Sequence, residues 1–127
     1  MEKSLALIVE DDKNLALAFS EALSDAGYQT EVIYDGQTAL ERLSDTLPHM
    51  VVLDLHIPRV KGLEVLKHIR ADARLTHTRV IVATADDRTA EMVAGMANLV
   101  LLKPIGYQQL RELSARFLPG RLKPTGG

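Results

Sequence analysis

The sequence contains no cysteine, which excludes disulfide bonds and thiolate chemistry. It has no basic run, and 15 Lys and Arg against 17 Asp and Glu leave a net charge of −2. Nucleic acid and anionic membrane are therefore not implied as partners. No apolar run approaches the ~20 residues that span a bilayer. The opening "MEKSLALIVEDD" has too short an apolar core for a secretory signal and runs straight into acids. A cytoplasmic protein is the default expectation. Internal repeats and low-complexity blocks are missing as well. So is G-x-G-x-x-G after the first apolar run, which a Rossmann dehydrogenase would need. The acidic loop found there would repel the phosphate of a flavin carrier.

What is present is ordinary for one globular domain. The chain has 127 residues, 46% of them apolar and 25% charged, enough to bury roughly two thirds of the unfolded surface. Leu5–Val9, Thr30–Tyr34, Met50–Leu55, Val80–Ala85 and Leu99–Leu102 are strand-length runs rich in Val, Ile and Leu. Helical stripes lie between them. Leu15, Phe19, Ala22, Leu23 and Ala26 form the first, with Gly27 placed to end it. Ala39, Leu40, Leu43 and Leu47 mark a second, and Leu63, Leu66 and Ile69 a third. Ala90, Val93 and Ala94 give a weaker fourth, and Tyr107, Leu110, Leu113 and Phe117 a fifth. The folded unit is expected over residues 1–118. Residues 119–127, Pro/Gly-rich and without period, read as a tail or the start of a linker.

Five strands alternating with five helices predict parallel βαβ units with right-handed crossovers. Runs without polar alternation fit a sheet covered on both faces. The expected fold is a flavodoxin-like, doubly wound, five-stranded α/β sheet of order 2-1-3-4-5, in which function gathers beyond the carboxyl ends of the strands. The first strand ends in Glu10, Asp11 and Asp12, the third in Asp54, the fourth at Thr84 and Ala85, and the fifth at Lys103–Pro104. The strand order brings Glu10, Asp11 and Asp54 together, with Thr84 and Lys103 alongside.

Asp54 stands in "VVLDLHIPR", a run that otherwise favours burial. Two carboxylates ~4 Å apart at an effective dielectric of ~20 repel by about 4 kcal/mol. One lysine does not balance three acids, so the cluster calls for a cation or raised pKa values. An open, all-oxygen, carboxylate-rich site suits Mg²⁺. A carboxylate is also a nucleophile toward phosphorus, giving an aspartyl-phosphate. Lysine and Mg²⁺ would offset charge on the phosphoryl oxygens, and a threonine hydroxyl would donate to one of them.

Taken singly, these residues have plainer readings. Asp54 suits a turn before Pro58, and Glu10 and Asp11 suit the first turn of a helix. Thr84 suits a strand by propensity, and Lys103 suits a surface. Asp12 or Lys13 reads as a cap or a solvated residue. Tyr107 reads as stripe packing. His49, His68 and His77 are scattered without ligand spacing.

The segments "LIVEDD", "VVLDLHIPRVKG", "IVATA" and "LLKPI" together resemble the receiver domain of two-component response regulators, the CheY-like superfamily. The resemblance runs from residue 4 to about residue 118. It implies that Asp54 accepts phosphate from the phosphohistidine of a sensor histidine kinase or phosphotransfer protein. It further implies Asp11 and Asp54 as direct Mg²⁺ ligands, Glu10 acting through water and the backbone carbonyl of His56 completing the set. Thr84 matches the switch hydroxyl and Lys103 the phosphate-binding lysine. Lys103–Pro104 is expected to be cis, and Gly62 matches the loop glycine. Slow autodephosphorylation and conformational signalling to an output domain or partner would follow.

Three positions depart from the family pattern. Val100 stands where a switch aromatic is usual, leaving Thr84 to switch with other packing, Tyr107 among the candidates. Thr84 and Lys103 are 19 positions apart (103 − 84), about three fewer than usual, close to one helical turn. A shortened or partly unwound fourth helix is predicted, which weakens the case for signalling through the face it shares with strand 5 and helix 5. His56 and Asp86 lie two positions after the phosphoacceptor and the switch threonine, where the family sets the lifetime of the phosphate. The bland alternative is that His56 supplies only its carbonyl. The competing function is a pseudo-receiver, a protein-binding module that signals without phosphate. An aspartyl phosphatase would commonly carry a second Asp at position 56, where this chain has histidine.

Overall fold

The apolar runs become five parallel strands: β1 (Leu5–Val9), β2 (Gln29–Ile33), β3 (Met50–Asp54), β4 (Arg79–Thr84) and β5 (Leu99–Leu102). A computed structural model describes residues 3–120. The strands pair in the order β2-β1-β3-β4-β5. They alternate with α1 (Lys13–Ala26), α2 (Gly36–Asp45), α3 (Gly62–Ala71), α4 (Asp87–Val93) and α5 (Tyr107–Ala115), and a short 3₁₀ turn, Ala73–Leu75, follows α3. The predicted doubly wound sheet is thus present. Residues 121–127, most of the expected tail, lie outside the described residues. Among the described residues no helix is long and apolar enough to cross a membrane.

Side chains leave successive strand positions on opposite faces, and the core divides accordingly. Leu7, Val9, Val51, Leu53, Val80 and Val82 meet Leu43 of α2 and Val65, Leu66 and Ile69 of α3. Ala6, Ile8, Met50, Val52, Ile81 and Ala83 meet Phe19, Ala22 and Leu23 of α1 and Leu110 of α5. Every residue of β3 is buried. Fully burying one such aliphatic side chain stabilises by about 1.5–3 kcal/mol.

The helix ends follow local chemistry. The Asp12 side chain caps α1 by accepting from the N–H groups of Asn14 and Leu15 (2.9 and 3.0 Å), and Gly27 ends the helix as expected. The predicted shortening of helix 4 is also present: α4 has seven residues, with Val93 its buried residue. Asn98 explains how the chain manages without the missing turn. Its backbone N–H donates to the Val80 carbonyl (2.9 Å), and its side-chain oxygen accepts from the Val80 N–H (2.8 Å). Arg70 of α3 then donates to the Met96 and Thr78 carbonyls and to the Asn98 side chain (2.6, 3.1 and 2.9 Å). This network pins the start of β5 without a longer helix.

Several residues read as part of apolar stripes or runs prove exposed. The stripe of α2 stops at Leu43, because the helix ends at Asp45 and Leu47 is exposed. Leu15 and Tyr34 also stand at the surface. Tyr107 is 43% exposed, so its reading as stripe packing fails. It is the first residue of α5, one turn before Leu110 meets the core.

Candidate functional site

Strand register assembles the pocket. Val9 of β1 is level with Leu53 of β3, so the next residues, Glu10 and Asp54, leave the sheet side by side. Thr84 closes β4 level with Leu102 of β5, and the Lys103 N–H donates to the Thr84 carbonyl (2.8 Å). Glu10 and Asp54 are only 1% and 4% exposed, and Thr84 is fully buried. Asp11 is exposed at the rim.

One ammonium joins the two buried acids. Lys103 Nζ donates to Glu10 Oε1 at 2.8 Å and to Asp54 Oδ2 at 3.2 Å. The other oxygen of each carboxylate accepts from the backbone: Asp12 N–H to Glu10 Oε2 (3.1 Å) and His56 N–H to Asp54 Oδ1 (2.9 Å). Among the described residues no buried side-chain polar atom lacks a partner, so the pocket meets the ordinary condition for burying charge. Thr84 Oγ1 accepts from the Asp86 N–H at 3.2 Å, leaving its hydroxyl proton free to donate elsewhere.

Electrostatics remain unbalanced. Oxygens of Glu10, Asp11 and Asp54 lie within 4.8 Å of one another, against one lysine. Burial holds the Glu10 carboxyl above its ordinary pKa of 4.5, despite the Lys103 and Asp12 hydrogen bonds. Burial also works against the Lys103 ammonium, but the Glu10 hydrogen bond and the charges of Asp54 and Glu10 outweigh it, holding its pKa above the ordinary 10.5. Three hard carboxylate oxygens around an open side are a donor set that fits Mg²⁺.

The loop after β3 completes the floor and rim. A side-chain carbon at Gly62 would lie 2.4 Å from the Asp54 carbonyl oxygen, so α3 begins directly beneath the acid only with glycine there. The Lys103–Pro104 bond is cis, as expected. A groove of about 420 Å³ opens beside Asp11, with His56, Lys61 and Thr89 among its walls.

Every residue that the sequence pointed to for the pocket lies at this edge of the sheet. Two roles are refined. The His56 side chain is exposed, while its N–H is engaged with Asp54. Asp86 caps α4, accepting from the Arg88 N–H (3.0 Å) and the Thr89 hydroxyl (2.8 Å), the latter the foremost cause of its lowered pKa. Sequence reasoning missed the Asp12 N–H as a partner of Glu10. An acid two residues before the helix cap was the available signal.

A doubly wound parallel sheet with an acid-lined pocket and one lysine at its carboxyl edge defines the CheY-like class of α/β domains. Residues 6–115 match the family described as the response regulator receiver domain, and the chain belongs to that family. It is 36% identical over 124 residues to the response regulator MprA of Mycolicibacterium vanbaalenii, covering 95% of this chain and 52% of that protein. The MprA of Mycobacterium avium is 37% identical over 121 residues, with 93% and 52% covered. The chain thus spans about half the length of the curated relatives it matches. Among solved structures, the chemotaxis response regulator CheY4 of Vibrio cholerae superposes with a TM-score of 0.82 at 24% identity, covering 91% and 99% of the two chains, and shows the shared fold. The BeF3-activated DrrB receiver domain superposes with a TM-score of 0.80 at 28% identity, covering 92% and 97%.

Proposed function

We propose that this domain takes a phosphoryl group onto Asp54 from the phosphohistidine of a sensor histidine kinase or phosphotransfer protein. It then loses the group slowly to water, and a partner or output domain reads the change of shape. The observation that carries this reading is the placement of a buried carboxylate, Asp54, within 3.2 Å of a lysine ammonium and beside two further acids. A cytoplasmic location belongs to the same reading.

Asp11 and Asp54, the His56 carbonyl and, through water, Glu10 would hold Mg²⁺, which when bound offsets negative charge on the transferred group. The chain's own residues do the rest. An Asp54 oxygen attacks phosphorus, the phosphorus–nitrogen bond of the donor breaks, and the histidine ring leaves with the electron pair. Lys103 loses one of its two carboxylate partners as that Asp54 oxygen becomes part of an acyl phosphate, and turns its ammonium to a phosphoryl oxygen while keeping Glu10. Thr84 donates its free hydroxyl proton to another.

The pseudo-receiver reading rests on two observations: Val100 where an aromatic is usual, partly buried against the core, and an α4 of seven residues. One experiment separates the two. The protein is incubated with Mg²⁺ and acetyl phosphate, or with beryllofluoride, and followed by intact mass and amide NMR. Modification at Asp54 with shifts around Thr84 and Lys103 supports the phosphoacceptor. Absence of both in the folded protein selects the pseudo-receiver.

A further inference from the structure

The loop that carries His56 is held from the side by an element no pocket residue belongs to. Gly36, the buried first residue of α2, donates its N–H to the Pro58 carbonyl at 3.1 Å. A side-chain carbon at Gly36 would lie 1.8 Å from the Val60 carbonyl oxygen and 2.6 Å from its carbonyl carbon, non-bonded distances that require the backbone to move. Between these contacts, Arg59 takes a left-handed φ of 73°, and its guanidinium reaches Asp35 Oδ1 at 3.4 Å. Asp35 in turn caps α2 through the Thr38 N–H (2.8 Å). A non-glycine residue in that conformation persists only where its surroundings hold it.

We propose that Asp35 and Gly36 form a clamp that positions the Leu55–Lys61 loop, and through it the His56 backbone, against Asp54. Gly36 acts as a positioning residue: it touches neither the acids nor Lys103. Its effect passes along the loop to the His56 N–H, which bonds Asp54 Oδ1 at 2.9 Å. The role assigned to the His56 carbonyl rests on the proposed function; the clamp itself rests on contacts between α2 and the loop. Ordinary helix chemistry gives the opposite expectation, because alanine is a better helix former than glycine.

The test compares wild type, Gly36→Ala and Leu43→Ala by amide NMR, first without metal and then in a Mg²⁺ titration. Leu43→Ala weakens the same helix through the core while leaving the Gly36 N–H and the Asp35 contacts to the loop in place. Gly36→Ala is expected to shift the loop amides at Arg59, Val60 and His56 in the metal-free protein. It should also weaken Mg²⁺ binding by about tenfold, the usual effect of disturbing groups that orient ligands. Leu43→Ala is expected to keep wild-type affinity. Unshifted loop amides in Gly36→Ala overturn the clamp, as does wild-type Mg²⁺ affinity in that variant. If wild type binds no Mg²⁺, the phosphoacceptor reading fails, and the metal-free shifts alone decide the clamp. If Gly36→Ala does not fold, hydrogen exchange in wild type decides it: a protected Gly36 amide supports the bond to Pro58, and one exchanging at the rate of a free amide overturns it.

Discussion

Glu10 and Glu31 each meet a cation, yet the two sites behave oppositely. Glu31, on edge strand β2, holds Arg42 through two hydrogen bonds of 2.6 and 2.8 Å, with both side chains about one third exposed. Glu10, at the end of central strand β1, holds Lys103 at 2.8 Å with its own side chain 2% exposed. The Arg42 hydrogen bond lowers the Glu31 pKa, whereas burial raises that of Glu10. The comparison shows that the cation does not decide the outcome. Loss of water does, reinforced by Asp54 next door. The edge pair is of modest structural value; the central pair stores unfavourable charge, which the proposed function would offset with a divalent cation.

The linkage signs differ in the same way. Glu31, with a lowered folded pKa, contributes stability above its ordinary value of 4.5 that is lost as pH falls through the folded value. Glu10, with a raised folded pKa, contributes stability that is full below 4.5 and lost as pH rises through the folded value.

The largest effect expected is at the pocket. Asp54→Asn should abolish phosphoryl incorporation from acetyl phosphate in the presence of Mg²⁺, read by intact mass on a protein that folds normally. Modification that survives this change would place the acceptor elsewhere. Next is Lys103→Ala. Stripping the shared ammonium leaves two buried acids facing each other and should cost about 3 kcal/mol in urea denaturation at neutral pH. Added Mg²⁺ should recover more stability in this variant than in wild type, because without the competing ammonium the acids bind the ion more tightly, and binding to the folded state stabilises it. Equal recovery would mean that the acids do not share a cation site.

Smaller effects belong to the edge pair. Arg42→Ala should cost under about 1 kcal/mol. Its deficit relative to wild type should shrink as pH falls below 4.5, where Glu31 takes up a proton in the unfolded chain first. A deficit as large as that of Lys103→Ala would erase the contrast between the two regions. Least in stability terms is His56→Ala, whose side chain is exposed. Denaturation midpoints should match wild type, while decay of the Asp54 acyl phosphate should change in rate. Equal decay rates would reduce His56 to its backbone.

Much of this was legible locally. "VVLD" reads as a fully buried strand because both its faces are apolar, and β3 is buried throughout. A cap was one of the two readings open to Asp12, and the short α4 followed from setting the Thr84–Lys103 spacing against that of the family the chain resembles. Other features depend on partners distant in sequence. Asn98 pairs twice with Val80, and Gly36 lies against Val60; neither contact leaves a periodic trace in the chain. Tyr107 fits a helical stripe, but periodicity cannot say on which turn a helix first reaches the sheet.

The sequence by itself determined which segments become strands and that acids, a threonine and a lysine stand at their ends, because apolar runs and turn chemistry act over a few residues. Tertiary structure alone decided that Glu10 and Asp54 share a single ammonium and that α2 braces the loop beside them. The reason is that desolvation and steric contact are properties of the assembled sheet. They arise only once crossovers bring β1, β3, β4 and β5 side by side and exclude water from what lies between.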